Sequence, residues 1–470
     1  MLFPTIDFAL FFALVYIVAW GTRAWPGIRK WTLIGASYYF YAYWDWRFAI
    51  LLAECSILNF ILGLLLDGAK KEPTKKGIVA AGVVFNLSIL GFFKYFDFFT
   101  ASANDLLLRF GVEPSLPVLE LMLPVGISFF TFQGISYVID VYRKEIEPSE
   151  SLGDVLLYIS FFPQLVAGPI VRASCFMPQL LTPPDPEKIH AARSFFLIAL
   201  GLFKKTVIAN YLAEFVAPVY EEPLAYSSAE AWFATYGYAV QLYCDFSAYS
   251  DIAIGLAGLL GYHFPENFNQ PYKAISLQDF WRRWHISLSS WLKDYLYRPL
   301  GGSRKGEWVT RRNLFLVMFL AGLWHGAAWT FVIFGVMHGL WIVVERDLFR
   351  KWGKEVTEQR WFKFVGGVVT FHFICFSLVF FAADGIDGAL EHLASLAQLT
   401  VGFKLLNPFT FSLIMIGLIG NWIPKDSVKT LWENFALRPI YVQAAVLGLL
   451  LILLGAMGPE GIAPFIYYQF

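Results

Sequence analysis

Gly322-Leu323-Trp324-His325-Gly326-Ala327-Ala328-Trp329 sits inside an apolar stretch, 313–347, that is longer than the roughly 20 residues one membrane crossing needs. An imidazole is costly at membrane depth and usually has a task there. A second histidine keeps the same company, in Phe280-Trp281-Arg282-Arg283-Trp284-His285-Ile286-Ser287-Leu288-Ser289. Histidine is also the side chain best suited to exchanging a proton near neutral pH. Two tryptophan-flanked histidines in apolar surroundings point to acid–base or acyl-transfer chemistry within a bilayer.

The rest of the chain agrees with a membrane setting. Of its 470 residues 57% are hydrophobic and only 15% charged, against about 25% charged in an average soluble domain. Apolar runs recur at 6–22, 32–46, 48–66, 78–98, 119–141, 155–171, 194–213, 232–260, 313–347, 363–383, 409–424 and 440–457. The stretches 232–260 and 313–347 are expected to bend or divide, giving about 11 to 13 membrane helices. The fold class is therefore an all-α polytopic membrane protein. Residues 1–470 read as a single integral-membrane domain, with no internal repeat or soluble part.

Formal net charge is zero, so bulk charge offers no nucleic-acid partner. The four cysteines lack metal-like spacing and read as small apolar fillers, and no metal site is expected. The run 8–20 has neither a basic leader nor a small-residue cleavage site, so it reads as a first span. Positive charge follows the first span (Arg23, Arg29, Lys30), the third (Lys70, Lys71, Lys75, Lys76) and the fifth (Arg143, Lys144). Those loops are expected in the cytoplasm and the N-terminus outside.

Segment 265–312 breaks the pattern. Pro265–Tyr272 is turn-rich, and Ser276 can N-cap a helix with Asp279 in capping-box position. The spacing predicts a helix over 277–297 that mixes aromatics with Arg282, Arg283, Lys293 and Asp294. It is too charged to face lipid and too aromatic to stand in water, which suits an interfacial or re-entrant segment.

Gln241, Tyr243, Asp245, Ser247, Tyr249, Ser250 and Asp251 form the densest polar cluster within an apolar stretch. Asp245 and Tyr249 share a helix face. A buried carboxylate needs a partner, and Arg282, Arg283 or a histidine is available. The cluster is either a substrate-binding site or a polar network tying helices together. Around His325, Gly322 and Gly326 would leave room for a ligand, with Trp324 and Trp329 walling the pocket. His338 falls about 220° around the same helix from His325 and is expected to face elsewhere. His190, His263, His372 and His392 are assigned core or surface roles. The chain has no Gly-rich phosphate loop and no Gly-x-Ser-x-Gly elbow, which argues against an ATP-driven pump and a serine hydrolase.

Six ordered blocks carry a family resemblance over nearly the whole chain. They are Pro124-Val-Gly-Ile-Ser-Phe-Phe-Thr-Phe-Gln133, Ile135-Ser-Tyr-Val-Ile-Asp-Val-Tyr-Arg143, Phe162-Pro-Gln-Leu-Val-Ala-Gly-Pro-Ile-Val-Arg172, Tyr243–Asp251, Asp279–Ser289 and Gly322–Gly339. Together they resemble the membrane-bound O-acyltransferase family, in its bacterial alginate O-acetyltransferase branch; Ala248 and Ala321 stand where that pattern has glycine. The resemblance implies a ring of helices around a thinned central tunnel, with His325 and His285 as the catalytic pair. Asp245, Tyr249, Asp251, Arg282, Arg283, Trp324 and Arg172 fall in its substrate-binding or structural polar positions. It implies an acyl thioester donor, acetyl-CoA or a carrier-protein thioester, arriving from the cytoplasm, and no bound cofactor. The acceptor pathway leads across the bacterial inner membrane to an extracytoplasmic acetyltransferase partner and an exported polysaccharide such as alginate.

The tail 464–470, Pro464-Phe465-Ile466-Tyr467-Tyr468-Gln469-Phe470, resembles a Phe-x-Tyr-x-x-Phe ending of related cell-surface acylation systems. That likeness makes Tyr467 a candidate acyl relay, beside its plain reading as an interfacial aromatic anchor. Two further readings stay open at this level. One is acylation of peptidoglycan or another cell-wall polymer. The other is a non-enzymatic transporter or flippase, against which the absence of repeat symmetry speaks.

Overall fold

The computed structural model describes residues 1–457 and 465–466, and among these there are helices and no strand. They form two compact units, Met1–Ala191 with Leu256–Pro265 and Ala192–Gly255 with Glu266–Phe470. Tyr467 lies outside the described residues.

In the first unit, helices Ile6–Gly21, Pro26–Ala42, Trp46–Gly68 and Glu72–Arg109 precede Ile127–Arg143, which is buried from Ile127 to Val141. Asn59 and Asn86 exchange amide hydrogen bonds of 3.1 and 3.0 Å between two of these helices. Gly134 packs against them so closely that a Cβ there would lie 2.5 Å from Asn59 Nδ2. Burying two amides is tolerable only because each satisfies the other. Arg29 is buried likewise, donating to Tyr262 Oη at 2.9 Å and to the Leu260 carbonyl at 2.6 Å.

Two expected spans of this unit are broken. The stretch 119–141 turns helical only at Ile127, after Gly126 at φ +79°. The stretch 155–171 is helical over Leu152–Ser160, stops at Phe161 ahead of Pro163, resumes for Phe162–Leu165 and then leaves the helix. Pro163 falls in the first turn of the new helix, where its missing N–H costs nothing, whereas inside one continuous helix it would remove a hydrogen bond. Side chains take over the freed backbone groups: Gln164 Nε2 donates to the Tyr158 carbonyl at 2.7 Å and Tyr158 Oη to that of Val171 at 3.0 Å.

The second unit contains Ala191–Glu221, whose middle is a π turn at Lys204–Ala209, and Ser228–Leu259, a single uninterrupted helix of 32 residues that ends in the first unit. The stretch 313–347 does divide, into Glu307–His325 and Trp329–Thr357. Their seam is built on glycine. A Cβ on Gly322 would lie 2.5 Å from the Phe331 carbonyl and 2.6 Å from Gly335 Cα, and one on Gly326 would sit 2.0 Å from the Phe331 ring. The room beside these glycines is thus filled by the neighbouring helix, as small residues allow in membrane proteins, and is not left for a ligand.

Among the described residues five helices are long and apolar enough to cross a membrane: Trp46–Gly68, Glu72–Arg109, Ala191–Glu221, Arg360–Ala382 and Ile440–Met457. The last buries only Leu454 within the protein, so its remaining apolar surface requires lipid. Gly322→Ala is expected to force the seam apart at backbone, not at a flexible side chain. Overpacking of this kind costs about 1–3 kcal/mol, readable as a lowered melting temperature in detergent; an unchanged melt would contradict the seam.

Candidate active site

His325 is the last residue of Glu307–His325 and is 3% exposed. Its ring centroid lies 5.1 Å from that of Trp324, 5.3 Å from Phe381 and 6.0 Å from Phe334. It lines a narrow cavity of about 20 Å³ together with Trp281, Trp284, Phe334, His338 and Phe381, space for about one water molecule. Trp329, expected to wall this pocket, is 53% exposed and does not line it.

His338 does line it, against expectation. The helix ends at His325 and a new one begins at Trp329, so rotation counted along one unbroken helix does not apply. Trp281 Nε1 meets His338 Nδ1 at 3.2 Å and His338 Nε2 meets Ser377 Oγ at 2.9 Å. An indole N–H can only donate. His338 Nδ1 therefore accepts, Nε2–H donates to Ser377, and Ser377 Oγ donates onward to the Ile374 carbonyl at 2.8 Å. This chain fixes one neutral tautomer.

The helix expected over 277–297 is interrupted at the other histidine. Leu277–Arg283 is capped by Ser276 Oγ, which accepts from Asp279 N at 3.0 Å, and it ends at Trp284. His285 follows in left-handed geometry at φ 42°, ψ 55°, and Ile286–Leu292 begins after it. Histidine adopts this region more readily than most residues, but it remains uncommon. Here Asn267 stabilises it. Asn267 Oδ1 accepts from Ser287 N at 3.1 Å and Ser287 Oγ at 2.8 Å, and it stands 3.2 Å from His285 Nδ1. Because the backbone N–H of Ser287 identifies Oδ1 as the acceptor, His285 Nδ1 carries the proton and the neutral ring keeps its lone pair on Nε2. The His285 ring is fully buried, with Phe246 edge-on at 4.7 Å.

Trp324 joins the two histidines, its ring 5.7 Å from His285 and 5.1 Å from His325. Asp245 lies on the Ser228–Leu259 helix, but its partner is neither arginine nor histidine. Lys205 Nζ sits 2.5 Å from Asp245 Oδ1 with both side chains buried, and Lys204 Nζ sits 2.7 Å from both Asp251 Oδ2 and Ser247 Oγ. Arg283 instead pairs with Asp279 on its own helix at 2.9 Å, and Arg282 is exposed. Tyr249 is fully buried. Arg172 belongs to the first unit, where its carbonyl accepts from Cys175 N and Phe176 N.

A wider cavity of about 1210 Å³ in the second unit is lined by Lys204, Tyr243, Ser247, Asp251, Asn267 and Phe268, among others. The sequence reading missed Lys204, Lys205, Asn267 and His338. Consecutive lysines within an apolar run were a usable signal, since intramembrane charges carry functional weight. Asn267 offered none beyond its turn-rich setting.

The chain is similar to several membrane acyltransferases. The family model described as MBOAT, membrane-bound O-acyltransferase family, matches residues 143–382. The probable alginate O-acetylase AlgI of Azotobacter vinelandii is 39% identical over 373 residues, covering 78% of this chain and 72% of that protein. A peptidoglycan O-acetyltransferase of Helicobacter pylori is 38% identical over 403 residues, covering 80% and 75%. The teichoic acid D-alanyltransferase of Bacillus subtilis is 29% identical over 343 residues, covering 68% and 82%.

Asn267→Ala is expected to leave His285 Nδ1–H and the Ser287 donors without their acceptor. A buried group orphaned in this way costs about 1–3 kcal/mol. The checks are a lowered melting temperature and a shifted His285 imidazole resonance in labelled protein; an unperturbed His285 would remove Asn267 from its role.

Proposed function

Because the chain belongs to the membrane-bound O-acyltransferase family, we propose that His325 is the general base of acyl transfer from a thioester to a hydroxyl, with His285 assisting. The protein is a multi-pass membrane O-acetyltransferase of polysaccharide acetylation. Acyl transfer as the family activity sets the transporter reading aside.

The observation that carries the catalytic assignment is the buried His325 imidazole in a narrow aromatic cavity, sharing Trp324 with His285. His325 takes the proton from the acceptor hydroxyl as its oxygen attacks the thioester carbonyl. The carbon–sulfur bond then breaks, and the departing thiolate takes the proton from the imidazolium. General-base help of this kind contributes about 10²–10⁴ in rate, and holding both reactants in one dry site adds to it. His285, with Nε2 as its basic nitrogen, orients the acceptor.

In this reading acetyl-CoA, or a carrier-protein thioester, is the donor on the cytoplasmic side of the bacterial inner membrane. Tyr467 is the first acceptor, and it passes the acetyl group to an extracytoplasmic acetyltransferase acting on alginate. Peptidoglycan is the alternative polymer, suggested by the likeness to the Helicobacter pylori enzyme.

His325→Ala is expected to lower O-acetylation of the secreted polymer at least about 100-fold, at unchanged protein level and melting temperature, by mass spectrometry of the polymer. Persisting acetylation would remove His325 as the base. His285→Ala is expected to give a smaller loss. Tyr467→Phe should abolish acetylation if the tail is the carrier, and full activity in that variant would restrict Tyr467 to membrane anchoring.

A further inference from the structure

The Lys205–Asp245 pair has a third member that the catalytic reading does not use. Asp245 divides its carboxylate: Oδ1 meets Lys205 Nζ at 2.5 Å, while Oδ2 accepts from the backbone N–H of Ile466 at 2.7 Å. Next to Ile466, Phe465 is 1% exposed and meets the Tyr249 ring edge-on at a centroid distance of 4.8 Å. Lys205 Nζ lies over the same Phe465 ring, 4.7 Å from its centroid. One buried lysine thus faces a carboxylate and an aromatic ring, both of which attract cations more strongly out of water. These contacts join residues more than two hundred positions apart in sequence.

We propose that Lys205, Asp245 and Tyr249 form a receptor site for the chain's own C-terminal segment, and that Phe465 and Ile466, seated there, tether that segment to the helix that supports His285. Burial distinguishes this site from a structural ion pair alone. The preceding helix Ile440–Met457 buries only Leu454, whereas Phe465 and Ile466 are 1% and 8% exposed. Of the described residues from Ile440 onward, Leu454, Phe465 and Ile466 are the buried ones. The receptor also lies beside the candidate catalytic elements. Phe246, which follows Asp245, stands edge-on to His285, and Ser250, which follows Tyr249, accepts from Asn267 Nδ2 at 3.0 Å. One helix, Ser228–Leu259, thus presents both Asp245 and Tyr249 of the tail receptor and the support of His285. The role given to Tyr467 rests on the relay reading above; the receptor site does not.

The test is hydrogen–deuterium exchange of the full-length protein, following the Ile466 amide in C-terminal peptides. Two variants loosen the tail from opposite sides. Phe465→Ala removes the ring and leaves the ion pair. The double variant Lys205→Met with Asp245→Leu removes both buried charges together, which spares the fold the cost of an unpaired one, and takes away the acceptor of Ile466 N–H. In both, the Ile466 amide is expected to exchange at least about tenfold faster than wild type, through loss of one charge-assisted hydrogen bond in the double variant and through loss of the ring that seats the segment in Phe465→Ala, with exchange along 228–259 unchanged. Wild-type exchange of Ile466 in the folded double variant overturns the receptor site. Faster exchange with undiminished polymer acetylation supports the receptor site and overturns the relay. Faster exchange with lost acetylation supports both.

Discussion

Asn267 is the side chain on which the geometry of the second unit depends. It is 1% exposed, and both polar atoms of its side chain are engaged, as is its carbonyl. Its carbonyl accepts from Ile286 N at 2.9 Å, its Oδ1 faces Ser287 and His285, and its Nδ2 donates to Ser250 on the long helix. These bonds stand in for the helical ones lost where the backbone breaks between Arg283 and Ile286. A chain in apolar surroundings can leave helical geometry only where protein groups satisfy its backbone. The break, the left-handed His285 and the direction of its imidazole are therefore one structural event. In a low-dielectric interior such a network is rigid when complete and costly when incomplete.

The same constraint explains what the sequence made legible. Apolar runs and scarce charge lead directly to helices and to a membrane, and they bracket the long elements well. Hydropathy carries no record of where a helix stops inside a run, so the breaks at Phe161, Gly326–Ala328 and His285 were not placed by it. Pro163 was a local signal for the first. The second undid the phase arithmetic for His338, which holds only along an unbroken helix. The third depends on Asn267, eighteen residues upstream, and no local pattern announces such a partner. The histidine pair was legible because imidazole is conspicuous among apolar residues. Its supports were not, since Asn, Ser and Trp are ordinary in sequence and acquire roles only through packing.

The acidic cluster shows a related effect. Nearby arginines looked like natural partners for Asp245 and Asp251, yet Arg283 pairs within its own helix and the long helix uses lysines from another. The π turn at Lys204–Ala209 is where this becomes possible, because adjacent residues of a regular α-helix point about 100° apart. Here both lysines reach carboxylates on Ser228–Leu259. Pairs buried this well contribute little net stability, because desolvation offsets their attraction, but breaking one is expensive. Their effect is to fix register between helices, which apolar packing alone specifies less sharply.

The narrow cavity at His325 shows how a rigid frame and a reaction volume coexist. With room for about one water, it cannot hold a thioester carbonyl and an attacking hydroxyl without its walls giving way. Those walls are of two kinds. Trp281 and His338 are tied through Ser377 to the backbone of Ile374, and outside the lining His285, in ring contact with Trp324, is tied to Asn267. Separating either set would orphan buried polar groups at about 1–3 kcal/mol each. Phe334 and Phe381 meet the cavity through ring contacts with each other and with His325, at centroid distances between 5.3 and 6.0 Å. Turning a ring between staggered rotamers sacrifices only dispersion contacts, each about 0.1–0.2 kcal/mol. The phenylalanines are thus the walls that yield to a substrate, while the hydrogen-bonded tryptophan and histidines hold their geometry.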